Sequence, residues 1–268
     1  KKLISSLIIN CSNGFHPVVN STANDMTENN IYTFETTEEV ARAVARVIAV
    51  NTNRQERNKR YYNVALSGGN TPKLLFQILA SEFQEKIRWQ ALRLFWVDER
   101  CVPPSDHESN YGMTYENLLK NIYIPVTNIF RMKGENDPSE EAVRYQALLE
   151  KELKLKKGIP QFDLVLLGMG DDGHTASIFP DNLALLHADE TVAVARHPVS
   201  GQMRITLTGK IIRQARQRMF LITGKSKSNV LNEILKNEVP AQKYPAFHIL
   251  SLPDTEVYLD REAASFLG

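Results

Sequence analysis

Residues 162–180 have the sequence FDLVLLGMGDDGHTASIFP, and this stretch decides the expected fold. Residues 162–167 form the clearest apolar run of the chain, and such a run predicts a strand that is buried on both faces. Three glycines follow, at positions 168, 170 and 173. Glycine lets the backbone turn sharply and approach a ligand closely, so we expect a tight turn directly after the strand.

Strand-like and helix-like segments alternate on both sides of this stretch, from residue 31 onward. The other predicted strands are 32–34, 63–66, 92–97, 191–195, 203–207, 219–223 and 247–250. The predicted helices begin after Thr36 or Thr37, at Pro72, near Met113, at Asp137 and Pro138, and near Lys227. Apolar strands separated by helices predict an α/β fold, namely one Rossmann-like domain over residues 31–268. We expect a doubly wound, mostly parallel sheet with helices on both faces and with ligands bound beyond the carboxyl ends of its strands.

The composition narrows the classes of partner. The chain has 268 residues, 43% of them hydrophobic, and its 32 basic residues nearly balance its 31 acidic residues. The near-neutral charge argues against a nucleic-acid-binding surface, and no apolar stretch reaches the length of a membrane span. The two cysteines, Cys11 and Cys101, lie far apart in the sequence. A disulfide scaffold is therefore not expected, and a cytoplasmic location fits.

The first 30 residues differ from the rest of the chain. Residues 10–30 are rich in Asn, Ser and Thr, which predicts a poorly structured leader over residues 1–30. A secretion signal is the alternative, because Lys1 and Lys2 precede an apolar run over residues 3–9. That run is short, contains two serines and has no small-residue cleavage site after it, so we favour the leader.

Residues 67–72, SGGNTP, follow a predicted strand and precede a predicted helix. Two glycines permit a sharp turn, and the amino end of a helix presents unpaired N–H groups with a partial positive charge. These groups suit a phosphate, to which side-chain hydroxyls would add further donors. An ordinary strand-to-helix turn is the alternative. The candidate binding residues of this loop are Ser67, Gly68, Gly69, Asn70 and Thr71.

Residues 98–100, DER, follow the predicted strand 92–97. Asp98, Glu99 and Arg100 are unusual for a plain loop, in which turn-forming residues are common. Arginine binds phosphate or carboxylate groups through two parallel hydrogen bonds. A surface ion-pair cluster is the alternative, and the sequence leaves open whether the two acids are catalytic or structural. Further along, Asn110 either caps the next helix or reaches into the same cleft.

The glycine turn has the G-x-G-x-x-G spacing of dinucleotide-binding folds. We reject that function because Asp171 and Asp172 would repel a pyrophosphate, and no acid follows the next strand to hold a ribose. His174 is instead a candidate general base that a neighbouring carboxylate could orient. A structural histidine is the alternative, but the position just beyond the carboxyl end of a strand favours a functional role.

Basic residues accompany two later strands. Arg204 opens one of them, and Lys225 and Lys227 follow the predicted strand 219–223. A lysine in that position neutralises a phosphate as a point charge, and a solvated basic turn is the alternative. An ATP-binding loop is not supported, because Met219 stands where its first glycine must be. Neither zinc-binding histidine spacing nor a G-x-S-x-G nucleophile elbow occurs, so we expect no metal and no serine esterase triad.

Together these segments resemble the 6-phosphogluconolactonase family. The matching pieces occur in the family's order and are LSGGNTP at 66–72, WVDERCVP at 96–103, ESNYGM at 108–113, FDLVLLGMGDDGHTASIFP at 162–180, RITLT at 204–208 and TGKSK at 223–227. Asn70 replaces the serine or threonine expected in the glycine loop. That change matters little if the backbone of the loop does the binding. The leader has no counterpart in this resemblance.

The resemblance implies a carboxylic ester hydrolase that converts 6-phospho-D-glucono-1,5-lactone to 6-phosphogluconate in the oxidative pentose phosphate pathway. It implies no cofactor, and it makes a small phosphorylated sugar lactone the partner. We expect the loop of residues 67–71, Arg204 and Lys227 to hold the phosphate, so that this remote group positions the ring. We expect a monomer or a weak homodimer.

The same hypothesis assigns the catalytic roles. His174 removes a proton from the attacking water, and either Asp172 or Asp98 orients its ring. Arg100 or backbone N–H groups near Gly170 stabilise the negative charge that develops on the carbonyl oxygen. The remaining candidate substrate-binding residues are Asn110, Gly170 and Asp171.

Two other functions are related to this one. Glucosamine-6-phosphate deaminases share the glycine loop, a DE pair and a GDGH-like turn. They typically have tyrosine after the DE pair, where this chain has Arg100, and I-A-F-N-E-P after the histidine, where this chain has TASIFP. Sugar-phosphate sensor domains of bacterial regulators are related in fold but usually carry an attached DNA-binding helix pair. The first 30 residues are too few and too polar for such a pair, so lactone hydrolysis is favoured.

Overall fold

Twelve strands and seven α-helices form the described part of the chain, residues 30–236 and 239–266 of a computed structural model. The strands are β1 (Ile31–Phe34), β2 (Tyr62–Leu66), β3 (Leu92–Trp96), β4 (Asp98–Arg100), β5 (Ile129–Phe130), β6 (Leu155–Lys156), β7 (Ile159–Pro160), β8 (Leu164–Leu167), β9 (Val192–Arg196), β10 (Met203–Leu207), β11 (Gln217–Ile222) and β12 (Thr255–Asp260). The helices are α1 (Thr37–Arg57), α2 (Asn70–Ser81), α3 (Asn110–Asn117), α4 (Pro138–Glu152), α5 (Gly209–Gln214), α6 (Ser228–Leu235) and α7 (Pro245–Leu250).

Seven of these strands form one parallel sheet, in the order β1-β12-β11-β8-β2-β3-β5. From β2 the chain continues outward to β3 and β5, and it then crosses to β8, on the other side of β2. From β8 it continues outward in the opposite direction, through β11 and β12. The winding therefore reverses between β2 and β8. In open α/β sheets, ligands bind beyond the carboxyl ends of the strands at such a reversal.

Helices cover both faces of this sheet. Right-handed crossovers place α1, α2 and α3 on one face and α4 to α7 on the other. The packing agrees, because α1 contacts α2 and α2 contacts α3, whereas α5 contacts α7. The central strand β8 is buried along its whole length, as a strand covered on both faces must be. The predicted doubly wound, mostly parallel sheet is confirmed.

Two predicted helix starts are confirmed by their capping contacts. The Thr36 hydroxyl accepts the backbone N–H of Glu39 in the first turn of α1. The Asp137 carboxylate accepts the N–H groups of Ser139 and Glu140 in the first turn of α4. Such contacts satisfy donors that a helix cannot satisfy from within, which is why these residue types mark helix starts in a sequence.

Three strands form a second, antiparallel sheet in the order β4-β10-β9. The sequence predicted strands at 191–195 and 203–207 but did not separate them from the main sheet. Residues 98–100, expected just beyond a strand, are strand β4 itself. Val97 joins the two sheets, because its N–H donates to the Leu66 carbonyl of β2 and its carbonyl accepts from Leu207 of β10. A single residue thus transfers the chain from one sheet to the other.

The carboxyl-terminal strand prediction was wrong. Residues 247–250 belong to helix α7, and the last strand of the sheet is β12, which the sequence analysis missed. A four-residue apolar run has no periodicity that separates a strand from a buried helical turn. Pro245 occupies the first position of this helix, which proline suits.

The predicted leader lies almost wholly outside the described residues, which begin at Asn30. None of the helices in the described ranges combines the length and the apolar character that crossing a membrane requires.

Candidate active site

A cavity of about 520 Å³ opens at the carboxyl edge of the sheet, where the winding reverses. Every predicted site residue except Asp172 lines it. These lining residues are Ser67, Gly68, Gly69, Asn70, Thr71, Asp98, Arg100, Asn110, Gly170, Asp171, His174, Arg204 and Lys227. Two cavities of about 490 and 420 Å³ have walls from the opposite end of the sheet, but parallel sheets of this kind bind their ligands at the carboxyl ends.

The glycine loop leaves the amino end of α2 open towards the cavity. Gly69 has a φ of 104°, a conformation that suits glycine, and no side chain caps the helix. The first helical hydrogen bond runs from the N–H of Lys73 to the carbonyl of Gly69. No acceptor among the described residues takes the N–H groups of Asn70 and Thr71. These free donors and the helix dipole form a binding place for an anion.

Asn110 packs against the same loop. A Cβ atom on Gly68 would lie 1.8 Å from Oδ1 of Asn110, so only glycine fits there. The Nδ2 atom of Asn110 donates to the backbone carbonyl of Asp98 at 2.9 Å and to its carboxylate at 3.2 Å. Its Oδ1 atom is buried and has no partner among the described residues. That oxygen therefore lies against Gly68 inside the wall of the cavity.

The pairing of β4 with β10 shows which of residues 98–100 face the cavity. Arg100 pairs with Arg204, and Asp98 pairs with Thr206. Because alternate residues of a strand point to opposite faces, Asp98 and Arg100 share the face that lines the cavity, and Glu99 faces away. The two acids therefore have different surroundings.

Glu99 is structural in its contacts. Its carboxylate accepts the N–H groups of Asn110 at 2.7 Å and Tyr111 at 2.8 Å, and the hydroxyl of Ser109 at 3.1 Å. Burial raises the pKa of Glu99, whereas the N–H groups of Tyr111, Asn110 and Arg100 lower it. The carboxylate holds the amino end of α3, and with it the side chain of Asn110, against the cavity.

Arg100 and Arg204 lie directly opposite each other on neighbouring strands. Burial lowers the pKa of Arg204, Asp98 raises it, and the charge of Arg100 lowers it further. The Nε atoms of both arginines are buried without a hydrogen-bond partner among the described residues. Like charges across a strand pair repel, and buried donors without partners are costly. An anionic group of a ligand that binds the two guanidinium groups would relieve the repulsion.

His174 and Asp172 form a dyad at the end of β8. Nδ1 of His174 lies 2.6 Å from Oδ1 of Asp172, which also accepts the backbone N–H of His174 at 3.1 Å. Burial alone would raise the pKa of Asp172, but the hydrogen bond and the charge of His174 lower it to about 2. A Cβ atom on Gly170 would lie 2.1 Å from Nδ1, so the glycine makes room for the dyad.

The dyad determines which ring nitrogen is basic. An ionised carboxylate at Nδ1 holds the proton there, so the lone pair of the neutral imidazole is on Nε2. No described residue forms a hydrogen bond with Nε2. The alternative orienting acid, Asp98, forms no hydrogen bond or ion pair with His174. Its carboxylate accepts the hydroxyl of Ser177 at 2.6 Å and lies 3.9 Å from Nη1 of Arg204.

The structure bears on two further expectations. The N–H of Gly170 donates to the carbonyl of His174 at 2.9 Å, so it is not free to bind an oxyanion. Asp171, predicted to contact substrate, forms an ion pair with Lys227 at the rim of the cavity. The hydrogen bonds from Lys227 and Ser226 lower the pKa of Asp171. Asp171 therefore holds the lysine over the cavity.

Several residues of the site were not predicted. Ser177 binds Asp98, Phe179 lies between the rings of His174 and His197, and Thr223 binds Thr71 at 2.6 Å. Ser177 and Phe179 belong to the stretch that decides the fold, but nothing in it shows which strands they face. Thr223 is the last residue of a predicted strand and therefore lies at the carboxyl edge of the sheet, where ligands bind. This position is the one sequence signal for Thr223.

Comparison with known proteins places the chain in a family. A sequence-family model described as Glucosamine-6-phosphate isomerases/6-phosphogluconolactonase matches residues 35–258. Proteins named 6-phosphogluconolactonase from Aggregatibacter actinomycetemcomitans and Haemophilus influenzae are each 46% identical over 208 residues, which are 76% of this chain and 87% of theirs. The protein of the same name from Treponema pallidum is 39% identical over 215 residues, 80% of this chain and 88% of its own.

Solved structures share the fold. A crystal structure described as devB protein has a TM-score of 0.84 and 37% identity, and the match covers 89% of this chain and 99% of that one. The 6-phosphogluconolactonase from Trypanosoma brucei has a TM-score of 0.76 and 33% identity, with 89% and 98% covered. A monomeric glucosamine-6-phosphate deaminase has a TM-score of 0.74 at 22% identity, which shows the fold alone. The chain belongs to the glucosamine-6-phosphate isomerase/6-phosphogluconolactonase family.

Proposed function

We propose that the chain hydrolyses 6-phospho-D-glucono-1,5-lactone to 6-phosphogluconate in the oxidative pentose phosphate pathway. One observation carries the proposal. The His174–Asp172 dyad leaves Nε2 free at the same cavity in which Arg100 and Arg204 face each other beside an uncapped helix. A base and two separate anion-binding groups are what the hydrolysis of a phosphorylated lactone requires.

The phosphate lies at the amino end of α2 in this proposal. The free N–H groups of Asn70 and Thr71 donate to its oxygens, and Lys227 and Arg204 supply positive charge. Lys227 is already directed over the cavity by Asp171. Binding of the phosphate, which is remote from the reacting carbonyl, holds the lactone ring in position for the reaction. The entropy cost of ordering the substrate is therefore met in the binding step.

His174 acts as the general base. Its Nε2 atom takes a proton from a water molecule, whose oxygen attacks the lactone carbonyl carbon. Asp172 stabilises the imidazolium that forms, as expected of a carboxylate 2.6 Å from Nδ1. Arg100 binds the oxyanion of the tetrahedral intermediate. When the intermediate collapses, the bond from carbon to ring oxygen breaks and Nε2 returns the proton to that oxygen.

Asp98 has a supporting role in this scheme. It accepts hydrogen bonds from Asn110 and Ser177 and lies near Arg204, so it holds the walls of the cavity together. Asn110 is among the proposed substrate-binding residues because it lines the cavity beside the glycine loop.

Purified protein tests the proposal with two substrates measured side by side. Acid release from 6-phosphogluconolactone is followed above the spontaneous rate, and ammonia release is followed from glucosamine 6-phosphate. We expect activity on the lactone alone. Activity on glucosamine 6-phosphate alone would make the chain a deaminase. Tight binding of 6-phosphogluconate without either activity would make it a sugar-phosphate sensor.

We also infer that the active unit is a monomer or a weak homodimer, because one chain supplies all the proposed site residues. Sedimentation velocity with lactonase assays over the same concentration range tests this. A larger assembly, or a dimer that persists at the lowest concentration assayed, would contradict the inference.

A further inference from the structure

Asp260 is a buried carboxylate beside the turn that carries Lys227. It is the last residue of β12, the neighbour of β11 in the sheet, and is 4% exposed. Its two oxygens accept the backbone N–H of Gly224 at 3.0 and 3.1 Å. They also accept the hydroxyl of Thr37 at 2.9 Å and the N–H of Ala263 at 2.8 Å.

No cationic side chain pairs with Asp260 among residues 30–236 and 239–266. A buried carboxylate without a cation is costly unless donors surround it. Here three donor groups do so, and one of them, Thr37, is the first residue of α1, where the helix dipole favours negative charge. The carboxylate is therefore surrounded by donors from the turn at Gly224, the start of α1 and the residues that follow β12.

The contact with Gly224 acts on the wall of the candidate phosphate site. Gly224 has a φ of 88°, and a Cβ atom there would meet nothing within 4 Å, so the glycine serves the backbone conformation. Its carbonyl accepts the N–H of Lys227 at 3.2 Å and closes the turn. The residue before it, Thr223, binds the hydroxyl of Thr71 in the glycine loop.

We propose that Asp260 is a positioning residue for phosphate recognition. By holding Gly224, it sets the turn from which Lys227 reaches the cavity and keeps Thr223 against the glycine loop. It touches no substrate itself, and the inference rests on the proposed function in placing the phosphate at this turn. The sequence analysis did not identify Asp260, because β12 itself was missed.

The test compares phosphorylated with unphosphorylated ligands in an Asp260→Asn variant. Asparagine keeps one acceptor oxygen but brings an N–H₂ group to the N–H of Gly224. We expect the Kd for 6-phosphogluconate, measured by calorimetry, and the KM for the phosphorylated lactone to rise roughly tenfold, with kcat within about threefold. We expect kcat/KM for glucono-1,5-lactone to change less than about twofold. Equal losses on both lactones, or unchanged affinity for 6-phosphogluconate, would overturn the proposal.

Thr37→Val is the matched control, because it removes a hydrogen bond from the same carboxylate without touching Gly224. We expect it to lower thermal stability and to leave the KM for the phosphorylated lactone unchanged. If Asp260→Asn does not fold, Gly224→Ala strains the turn while keeping the carboxylate, and the same selective loss is expected. Calorimetry separates the proposed reaction from the proposed role of Asp260. If the wild-type protein binds 6-phosphogluconate but has no lactonase activity, the proposed reaction is refuted. The effect of Asp260→Asn on the Kd can still be measured.

Discussion

Oδ1 of Asp172 lies 2.6 Å from Nδ1 of His174 and also accepts the backbone N–H of the same residue at 3.1 Å. One oxygen thus fixes both the ring and the main chain that carries it. The arrangement assigns the ring proton to Nδ1 and leaves Nε2 as the basic atom. The first two predictions follow from this pair.

Replacing His174 with alanine removes the proposed base. We expect kcat for the phosphorylated lactone to fall roughly 10²- to 10⁴-fold, with the KM within about threefold, because the phosphate site is untouched. His248→Ala is the control, since His248 contacts the carbonyl of Gln242 and the ring of Phe247 and does not line the cavity. A folded His174→Ala protein with near-normal kcat would refute the role.

Asp172→Asn changes the pH dependence of stability. Burial raises the pKa of Asp172, but the hydrogen bond and the charge of His174 lower it more. The pKa is therefore about 2, below the ordinary value of 3.8. Because the folded-state value lies below the unfolded one, the carboxylate stabilises the fold above about pH 4, and this contribution is lost as the pH falls towards about 2. The side chain is 45% exposed, so solvent screening limits the contribution to less than about 1 kcal/mol.

Urea unfolding from pH 6 to pH 2 measures this effect. We expect the difference in free energy of unfolding between the wild type and Asp172→Asn to shrink below about pH 4. A difference that stays constant across the range would show that Asp172 does not have its depressed pKa. The same variant should lose turnover at neutral pH, since asparagine can hold the wrong tautomer of His174.

Gly170→Ala tests the space that the dyad needs. The added Cβ atom would lie 2.1 Å from Nδ1 of His174 and 2.5 Å from Oδ1 of Asp172, so the ring must move. We expect kcat to fall by at least about 10²-fold, because a misplaced base loses its geometry. Gly168→Ala is the matched control, since a Cβ atom there meets nothing within 4 Å. Similar kcat values for the two variants would contradict the role of Gly170.

Lys227→Met tests the phosphate end. It removes the charge but keeps most of the apolar length of the side chain. We expect the KM for the phosphorylated lactone to rise roughly tenfold, which is about 1.4 kcal/mol of binding free energy, with little change for glucono-1,5-lactone. Lys225→Met is the control on the same turn, because Lys225 is exposed and does not line the cavity. Equal effects of the two variants would indicate general electrostatic attraction.

Much of the fold could be predicted from the sequence, because the signals for its helices and strands are local. Asp137 and Pro138 start a helix through contacts within four residues, and the apolar residues of the segment 162–167 are buried. The carboxyl-terminal strand β12 could not be predicted in this way. The apolar run at 247–250 fits a strand or a buried helical turn equally well, and packing decided for the helix.

The sequence by itself indicated the alternation of strands and helices, the glycine loop after a strand and an acid two residues before His174, because each of these signals depends on residues a few positions apart. Only the tertiary structure decided that Arg100 faces Arg204, that Asp98 binds Ser177 while Asp172 binds His174, and that Asp260 holds Gly224. Those relationships depend on strand register and on which strands are neighbours. Register is set by the packing of the whole sheet, and no short stretch of sequence contains it.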